Sequence, residues 1–220
     1  MRRAEFEIYL ITDRNQCGGG GLVRRVESAL RGGVSAVQLR EKDLSARERY
    51  ELGQGLRKIT SDFGAKLLVN GDAALALAIG ADGVHLPQDG LPVEVCRRLL
   101  GPDSLLGVSA HSSTEAIEAQ AGGADFITFG PVYYTRSKAS YGPPVGLESL
   151  RAACAAVEIP VFALGGVGAD AIEEVLSAGA CGVAMISAIL SEADPEAAAS
   201  KIAGTLSRAR EAEGLARKKG

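Results

Sequence analysis

A unit of apolar strand, polar loop and amphipathic helix recurs along this chain of 220 residues, and that repetition constrains the fold more than any other feature. Eight short segments are apolar on both faces and rich in β-branched residues, which is the pattern of parallel strands buried on both sides. These predicted strands cover residues 8–12, 36–40, 66–69, 83–86, 105–109, 126–129, 161–163 and 182–186. Helical patterns lie between them, so strand and helix alternate throughout.

A short sequence repeat marks the joints between helices and strands. Gly-Ala-Asp or Gly-Ala-Cys precedes three of the predicted strands, beginning at Gly80, Gly123 and Gly179. Glycine after a helix ends it and lets the chain turn tightly into the next strand. Units this uniform predict a single (β/α)8 TIM barrel. A doubly wound open sheet is the alternative, but it fits less well because no GxGxxG motif follows the first strand.

Length and composition fit one globular domain. The 220 residues lie between the roughly 200 that such barrels need and the roughly 250 that are typical, so we expect one domain over residues 1–220, with a frayed basic tail from about residue 214. A net charge of -3 argues against a nucleic-acid-binding protein. No apolar run approaches the roughly 20 residues that span a bilayer. Four cysteines without a CxxC pair, and no secretory signal, predict a cytoplasmic protein with reduced thiols.

Polar residues cluster where the predicted strands end, which is where TIM barrels carry their chemistry. After strand two, Gln38, Arg40 and Lys42 alternate with a period of two, so an extended chain directs them the same way. Two cations in a barrel mouth favour an anionic ligand, because a charge without a partner is costly there. The alternative is that both cations pair with the acids at positions 41 and 43 or with Asp72.

The ends of strands seven and eight supply a second candidate anion site. TIM barrels often bind phosphate in the loops after these strands. Gly165 and Gly166 leave backbone N–H groups open to an anion, and Ser187 adds a hydroxyl. The alternative is that the two glycines serve only a tight turn.

Several single residues are also candidates. Lys138 lies in the long irregular stretch after strand six, where a mobile lysine could close over a leaving phosphate; the alternative is a solvated surface residue. Asp72 and Asp89 are candidate magnesium ligands, because Mg²⁺ commonly uses one or two carboxylates together with substrate phosphates. For both aspartates the alternative is a helix cap. His85 and His111 are candidates for acid–base chemistry or for a supporting structural role.

These residues together resemble the family of thiamine-phosphate synthase and the related thiazole tautomerase, which share one barrel. The likeness extends from Tyr9 to about Ser191. Its motifs are Gln38-Leu39-Arg40-Glu41-Lys42, Gly107-Val108-Ser109, Gly130-Pro131-Val132 with Thr135 and Lys138, Gly165-Gly166, and Ile186-Ser187-Ala188-Ile189. The resemblance implies a transferase that joins hydroxymethylpyrimidine diphosphate to a thiazole phosphate and releases pyrophosphate. The alternatives are a thiazole tautomerase and a non-catalytic protein that binds thiazole phosphate or thiamine phosphate.

The resemblance also implies roles for particular residues. Those matching positions that hold the pyrimidine diphosphate are Gln38, Arg40, Lys42, Asn70 and Lys138. Those matching the remaining substrate-binding positions are Thr135, Gly166 and Ser187, near the thiazole phosphate, Ser109, near the leaving diphosphate, and Ile186. We expect Arg40, Lys42, Ser109 and Lys138 to act in catalysis, since fixed donors can stabilise a departing diphosphate. Small-molecule substrates are the expected partners, and a homo-oligomer is left open.

The chain departs from the usual synthase at the magnesium site. The usual synthase has an aspartate where this chain has Gly71, and its second metal aspartate aligns with Gly90. The resemblance implies Mg²⁺, with Asp72 or Asp89, each one residue away, as substitute ligands. The Asn-Gly after strand three and the His-Leu-Pro of strand four are closer to the tautomerase, but Pro131 stands where the tautomerase has histidine. The complete Gln-x-Arg-x-Lys set favours the synthase, because a tautomerase substrate has no diphosphate.

Overall fold

Eight parallel strands close into a barrel in which each strand pairs with its neighbours in chain order and the last pairs with the first. The computed structural model describes residues 4–19, 21–135 and 143–217, with side chains as far as residue 212. The strands are β1 (Ile8–Ile11), β2 (Ala36–Leu39), β3 (Lys66–Asn70), β4 (Gly83–Leu86), β5 (Leu105–Ala110), β6 (Phe126–Phe129), β7 (Val161–Leu164) and β8 (Gly182–Met185). The predicted TIM barrel is confirmed, and the open sheet is excluded because the barrel closes.

Helices connect the strands and surround the barrel. They are α1 (Leu22–Arg31), α2 (Ala46–Asp62), α3 (Ala73–Ile79), α4 (Val93–Leu100), α5 (Ser113–Ala121), α6 (Gly146–Ala156), α7 (Ile172–Ser177), α8 (Ser187–Leu190) and α9 (Pro195–Arg217). The helix α2 begins with the capping box that its sequence predicts, in which Ser45 and Glu48 satisfy each other's backbone N–H groups. The short helix α8 is not predicted from the sequence, because four residues are too few to show a helical period.

The Gly-Ala-Asp repeat forms the same joint twice. Gly80 and Gly123 adopt left-handed backbone conformations, with φ of 64° and 92°, as the turn from helix to strand requires. The aspartate that follows bonds both backbone groups of a leucine on the preceding strand, donating its N–H to the leucine carbonyl and accepting the leucine N–H on its carboxylate. An arginine from a neighbouring helix binds the same carboxylate. The two sets are Asp82 with Leu67 and Arg57, and Asp125 with Leu106 and Arg97.

The interior of the barrel is aromatic near the N-terminal ends of the strands and polar near the C-terminal ends. Phe6, Tyr9, Phe126 and Phe162 form a cluster with ring centroids 4.8–6.4 Å apart. Inward-facing polar side chains from β2, β4, β5 and β6 lie toward the other end. The apolar layer closes the barrel at the N-terminal ends of the strands. A ligand therefore reaches the polar side chains from the C-terminal end.

The last helix extends farther than the sequence predicts. The pattern predicts its end at residue 213, whereas the helical backbone of α9 continues to Arg217. The backbone helix therefore includes the first part of the basic tail that was expected to fray, and residues 218–220 lie outside the described part of the chain. Among the described helices, none is long and apolar enough to cross a membrane.

Candidate active site

A layer of hydrogen-bonded polar side chains lies inside the barrel above the aromatic cluster. Gln38 is almost fully buried, and its Nε2 donates to the Tyr9 hydroxyl at 3.0 Å. The His85 Nε2 lies 3.0 Å from the Ser109 hydroxyl oxygen and 3.2 Å from that of Thr128. Strand register explains this contact, since Ser109 lies directly beside Thr128 on the neighbouring strand. Gln38 and Ser109, both predicted site residues, are thus brought into one polar layer.

The His85 ring is held neutral. Burial, and to a smaller extent the positive charge of Arg40, lowers the pKa of His85 from 6.5 to about 3. Gly107 makes room for the ring, because a Cβ at that position would lie 2.5 Å from the His85 Nδ1. His85 therefore acts as a neutral hydrogen-bonding group rather than as a proton donor near neutral pH. His111 has a different position, with its Nδ1 on the carbonyl of Gly130, where it links the ends of β5 and β6.

The acids nearest the strand-two cations are occupied by other residues. Arg14, from the turn after β1, binds both Glu41 and Asp43, and its backbone N–H also donates to the buried Glu41 carboxylate. Asp72 binds the guanidinium of Arg49 at 3.1 Å. In the described part of the chain, neither strand-two cation forms an ion pair with any of these acids. The alternative in which these acids neutralise Arg40 and Lys42 is therefore wrong for the described residues.

Arg40 and Lys42 take up different positions at the end of β2. The strand ends at Leu39, and the Arg40 N–H donates to the buried Thr12 hydroxyl at 2.8 Å. The positive charge of Arg40 contributes to the lowered pKa of His85. Lys42 lies in the following turn and lines a cavity of about 320 Å³ together with Asn70. The period of two thus stops at the end of the strand, because the chain turns there, and only Lys42 of the two cations lines this cavity.

The glycine pair after β7 receives the loop that follows β6. Gly165 and Gly166 have φ of 91° and 68°, and the Gly165 carbonyl accepts the Tyr133 N–H at 2.9 Å. A Cβ on Gly166 would lie 2.7 Å from the Tyr133 Cβ and from the Tyr134 carbonyl oxygen. The interpretation of the two glycines as a tight turn is therefore correct for their backbone conformation. The Gly166 N–H donates to no carbonyl in the described part of the chain, so it is still available to an anion.

The other predicted residues of this second anion site lie at the ends of β6 and β8. Ser187 is exposed and begins α8, and Ile186 is half-buried directly before it. Thr135 is half-buried in the described part of the β6 loop. The two described ends of that loop are joined, since the Val145 N–H donates to the Pro131 carbonyl at 2.8 Å. Lys138 lies outside the described residues, so its predicted position over a phosphate stays a prediction.

The two candidate metal ligands differ in their surroundings. Asp72 caps α3, accepting the Leu75 N–H on Oδ1 at 2.9 Å, and its Oδ2 binds Arg49. The cap interpretation of Asp72 is thus confirmed, and both of its oxygens are in use. Asp89 is exposed in the turn before α4 and does not cap that helix, whose N-cap residue is Pro92. Among the described residues, no three acidic, histidine or cysteine side chains are grouped so that they could hold a metal ion.

The positions that carry aspartate in the usual synthase are shaped for glycine here. Gly71 has a left-handed φ of 67°. A Cβ on Gly90 would lie 2.9 Å from the Pro87 carbonyl oxygen, in a turn where the Gly90 N–H bonds that same oxygen. The described residues therefore do not fit a magnesium site built from protein ligands alone.

Two residues with clear positions at the site are not predicted from the sequence. Thr128 lies within a continuous apolar strand, and the sequence does not show that its hydroxyl faces His85. Arg49 lies on α2 among other arginines, and only the packing of α2 beside β3 brings it to the same cavity as Lys42 and Asn70. To predict Arg49 from the sequence, one would need to know which face of α2 packs against the end of β3.

Known proteins resemble this chain over most of its length. The family model described as thiamine monophosphate synthase matches residues 8–189. A thiamine-phosphate synthase from Moorella thermoacetica is 45% identical over 206 residues, covering 94% of this chain and 98% of the relative. A thiamine-phosphate synthase from Roseiflexus sp. (strain RS-1) is 44% identical over 191 residues, covering 87% of this chain and 81% of the relative.

A solved structure gives the same result. The thiamine phosphate pyrophosphorylase from Pyrococcus furiosus superposes with a TM-score of 0.85 at 36% sequence identity, covering 93% of this chain and 96% of that one. The family model spans all eight strands, including the strand ends where the polar side chains gather. The barrel, the matched motifs and these relatives together show that the chain belongs to the thiamine monophosphate synthase family.

Proposed function

We propose that this protein is a thiamine-phosphate synthase, a transferase that joins hydroxymethylpyrimidine diphosphate to a thiazole phosphate and releases pyrophosphate. The observation that carries the proposal is the pair of cations at the end of β2. Arg40 and Lys42 have no ion-pair partner among the described residues, although three carboxylates lie close in sequence or space. A diphosphate supplies the negative charge that such a site favours, whereas a tautomerase substrate has no diphosphate.

The proposed reaction breaks one bond and forms another at the same carbon. The bond between the pyrimidine methylene carbon and the diphosphate oxygen breaks, and both electrons leave with the diphosphate. The thiazole nitrogen then donates its lone pair to this carbon and forms the new C–N bond. Fixed positive charge beside the departing oxygen lowers the barrier without reorganisation, which is the role we assign to Arg40 and Lys42.

The neutral state of His85 suits this chemistry. The thiazole nitrogen attacks with a lone pair, so the bond-forming step requires no general base. A neutral His85 positions the Ser109 hydroxyl at 3.0 Å without adding a positive charge that would repel the pyrimidine cation. Ser109 in turn provides a hydroxyl toward the pyrimidine diphosphate. Asn70 provides an amide at the end of β3.

We assign the thiazole phosphate to the ends of β7 and β8. The Gly166 N–H, which donates to no carbonyl in the described part of the chain, and the exposed Ser187 hydroxyl support this assignment. Backbone N–H groups at a glycine turn suit a phosphate because no side chain blocks its approach. The two substrates then enter from opposite sides of the barrel mouth, with the reacting carbon and nitrogen between them.

Magnesium, which the resemblance implies, would be held chiefly by substrate phosphates if it takes part. Asp72 is engaged on both oxygens and Asp89 is exposed. The steps above therefore depend on the protein's own side chains. We further propose small-molecule substrates and a cytoplasmic location. The four free cysteines support the latter, since reduced thiols persist in a reducing compartment.

One assay tests the proposed function. Purified protein is incubated with both substrates and Mg²⁺, and pyrophosphate and thiamine phosphate are measured together. We expect both products in equal amounts, and neither when the thiazole phosphate is withheld. Thiazole isomerisation without pyrophosphate release would instead support the tautomerase. Tight phosphate-ligand binding with neither activity would support the binding protein.

A further inference from the structure

The cavity beside Lys42 contains a second cation that the resemblance does not assign. This cavity of about 320 Å³ lies at the C-terminal ends of β2 and β3, against the first turns of α2. Its lining includes Lys42 and Asn70, both matched to the diphosphate, and also Arg49. The volume lies within the roughly 300–1,000 Å³ of small-molecule sites. Arg49 therefore shares a ligand-sized space with two residues of the proposed diphosphate site.

The guanidinium of Arg49 is fixed in place but has donors to spare. One terminal nitrogen donates to Asp72 Oδ2 at 3.1 Å, and Asp72 is itself anchored to α3 through the Leu75 N–H. The Arg49 Nε is buried and has no hydrogen-bond partner in the described part of the chain. A guanidinium carries five N–H donors, and a buried donor without a partner is rare in native proteins. The Nε is not accessible from the cavity, but the side chain is 27% exposed, so a ligand there would reach Arg49 through its terminal N–H groups, of which the described residues take up one.

The charge around the cavity favours an anion as that ligand. Glu41 also lines the cavity, but Arg14 neutralises its carboxylate from the side of β1. Arg49 and Asp72 neutralise each other, and Lys42 forms no ion pair with a described residue. The charged lining residues themselves are Glu41, Lys42 and Arg49, so the lining carries a net charge of +1, together with guanidinium and amide donors. A forked guanidinium held by a carboxylate is suited to two neighbouring phosphate oxygens.

We propose that Arg49 is a further binding residue for the leaving diphosphate, which it contacts through its free terminal N–H groups beside Lys42 and Asn70. This inference rests on the proposed synthase function for the identity of the anion. Asp72 then serves as the positioning residue that holds the guanidinium. The alternative is that the Arg49–Asp72 pair only attaches α2 to the end of β3.

Arg57 provides a matched control for the test. It lies two turns further along α2 and also binds an aspartate, Asp82, but at the opposite end of the barrel. Binding of inorganic pyrophosphate is measured by calorimetry in the presence of EDTA for the wild type, Arg49→Met and Arg57→Met. We expect Arg49→Met to weaken binding by about tenfold or more, as for loss of a charge-assisted hydrogen bond, and Arg57→Met to stay within about twofold of the wild type. Equal pyrophosphate affinities in the two variants would overturn the inference.

Two further measurements separate binding from folding. We expect Arg49→Met to raise the KM for the pyrimidine diphosphate but not that for the thiazole phosphate. Asp72→Asn keeps an amide oxygen that can still hold the guanidinium but removes the charge that neutralises it, so pyrophosphate binding should be retained or strengthened; a loss equal to that of Arg49→Met would show a purely structural pair. If Arg49→Met fails to fold, Arg49→Gln replaces it in the same comparison.

The outcomes also distinguish this inference from the proposed function. A wild type that binds pyrophosphate through Arg49 but forms no thiamine phosphate would contradict only the proposed function. A wild type that forms thiamine phosphate, with pyrophosphate binding insensitive to Arg49, would contradict only the inference.

Discussion

The imidazole of His85 holds the hydroxyl of Ser109 through a contact of 3.0 Å, while the other ring nitrogen has no partner among the described residues. Because a buried N–H without a partner is rarer than a buried acceptor without one, we assign the ring proton to Nε2. Nε2 then donates to the Ser109 oxygen, and the Ser109 hydrogen stays free to be donated to a substrate. The serine at the barrel mouth is thus oriented by a histidine that lies beneath it.

This arrangement predicts a specific pH dependence of stability. The folded pKa of His85 is about 3, well below the value of about 6.5 in the unfolded chain, so the unfolded state binds the extra proton first. Stability is therefore at its full value above pH 6.5 and declines as the pH falls toward 3. The contribution is about 2 kcal/mol between pH 7 and pH 5. Urea unfolding of the wild type and His85→Gln at both pH values should show the larger decline in the wild type.

The ring itself provides a direct check. The NMR signals of the His85 ring should stay constant from pH 8 to pH 5, and kcat should show no inflection that disappears in His85→Gln. A His85 signal that titrates near pH 6.5 would contradict the neutral buried ring.

Gly166 is expected to tolerate no side chain. We predict that Gly166→Ala destabilises the fold by about 1–3 kcal/mol, because it combines a left-handed backbone with a contact of 2.7 Å to the loop after β6. The KM for the thiazole phosphate should rise more than that for the pyrimidine diphosphate. Gly101→Ala is the control, since Gly101 has a φ of 84° but nothing within 4 Å of its added Cβ. An equal effect of the two substitutions on KM would argue against a phosphate site at Gly166.

Asp82 should stabilise the fold in a pH-dependent way. Burial alone would raise its pKa, but hydrogen bonds from the Leu67 N–H, Arg57 and Lys66 outweigh burial, and the pKa lies below its ordinary value. The contribution of Asp82 is therefore fully present above the unfolded pKa of about 3.9 and is lost as the pH falls below it.

Replacement of Asp82 tests this contribution. Asp82→Asn should cost about 2–3 kcal/mol at pH 7, because it weakens the bond to Leu67 and leaves Arg57 without a charged partner. Guanidinium unfolding at pH 7 and pH 3 should show a smaller difference between variant and wild type at the lower pH. Asp125→Asn removes the equivalent joint near β6 and should reduce stability at pH 7 by a similar amount. Unchanged stability in both variants would refute the role given to the repeat.

Lys138 is expected to act on turnover. Lys138→Ala should lower kcat for thiamine phosphate formation by about 10- to 100-fold, as expected for loss of a charge that stabilises the departing diphosphate, and should leave thermal unfolding within about 0.5 kcal/mol of the wild type. Lys58→Ala, a lysine replacement in α2, is the control for loss of a positive charge. Unaltered kcat in Lys138→Ala would show that the loop lysine is a solvated surface residue.

Much of the barrel could be predicted because its signals are local. Short apolar strands, the capping box at Ser45 and the glycines that end helices each depend on neighbours within a few residues. The ends of elements were less certain. The strand β2 stops at Leu39, and the turn that follows gives Arg40 and Lys42 different surroundings. A period of two holds only while the chain is extended.

The candidate site likewise has features that the sequence predicts and features that it does not. Residue types at the strand ends predicted an anion site, because cations, glycines and hydroxyls at those positions suit phosphate. Partners could not be predicted, since each involves residues far apart in the chain: Arg14 with Glu41, and Arg49 with Asp72. The sequence offers several acids near Lys42 and does not show which cation reaches each of them.

The sequence by itself determined the alternation of strand and helix, the joints between them and the polar residues at one end of every strand. These follow from side-chain period, backbone conformation and chain direction, which are properties of neighbouring residues. Only the tertiary structure decided that Arg40 and Lys42 pair with no carboxylate in the described part of the chain, that His85 is buried neutral beneath Ser109, and that Arg49 lines the cavity beside Asn70. The physical reason is that ion pairing and burial depend on distances across the closed barrel.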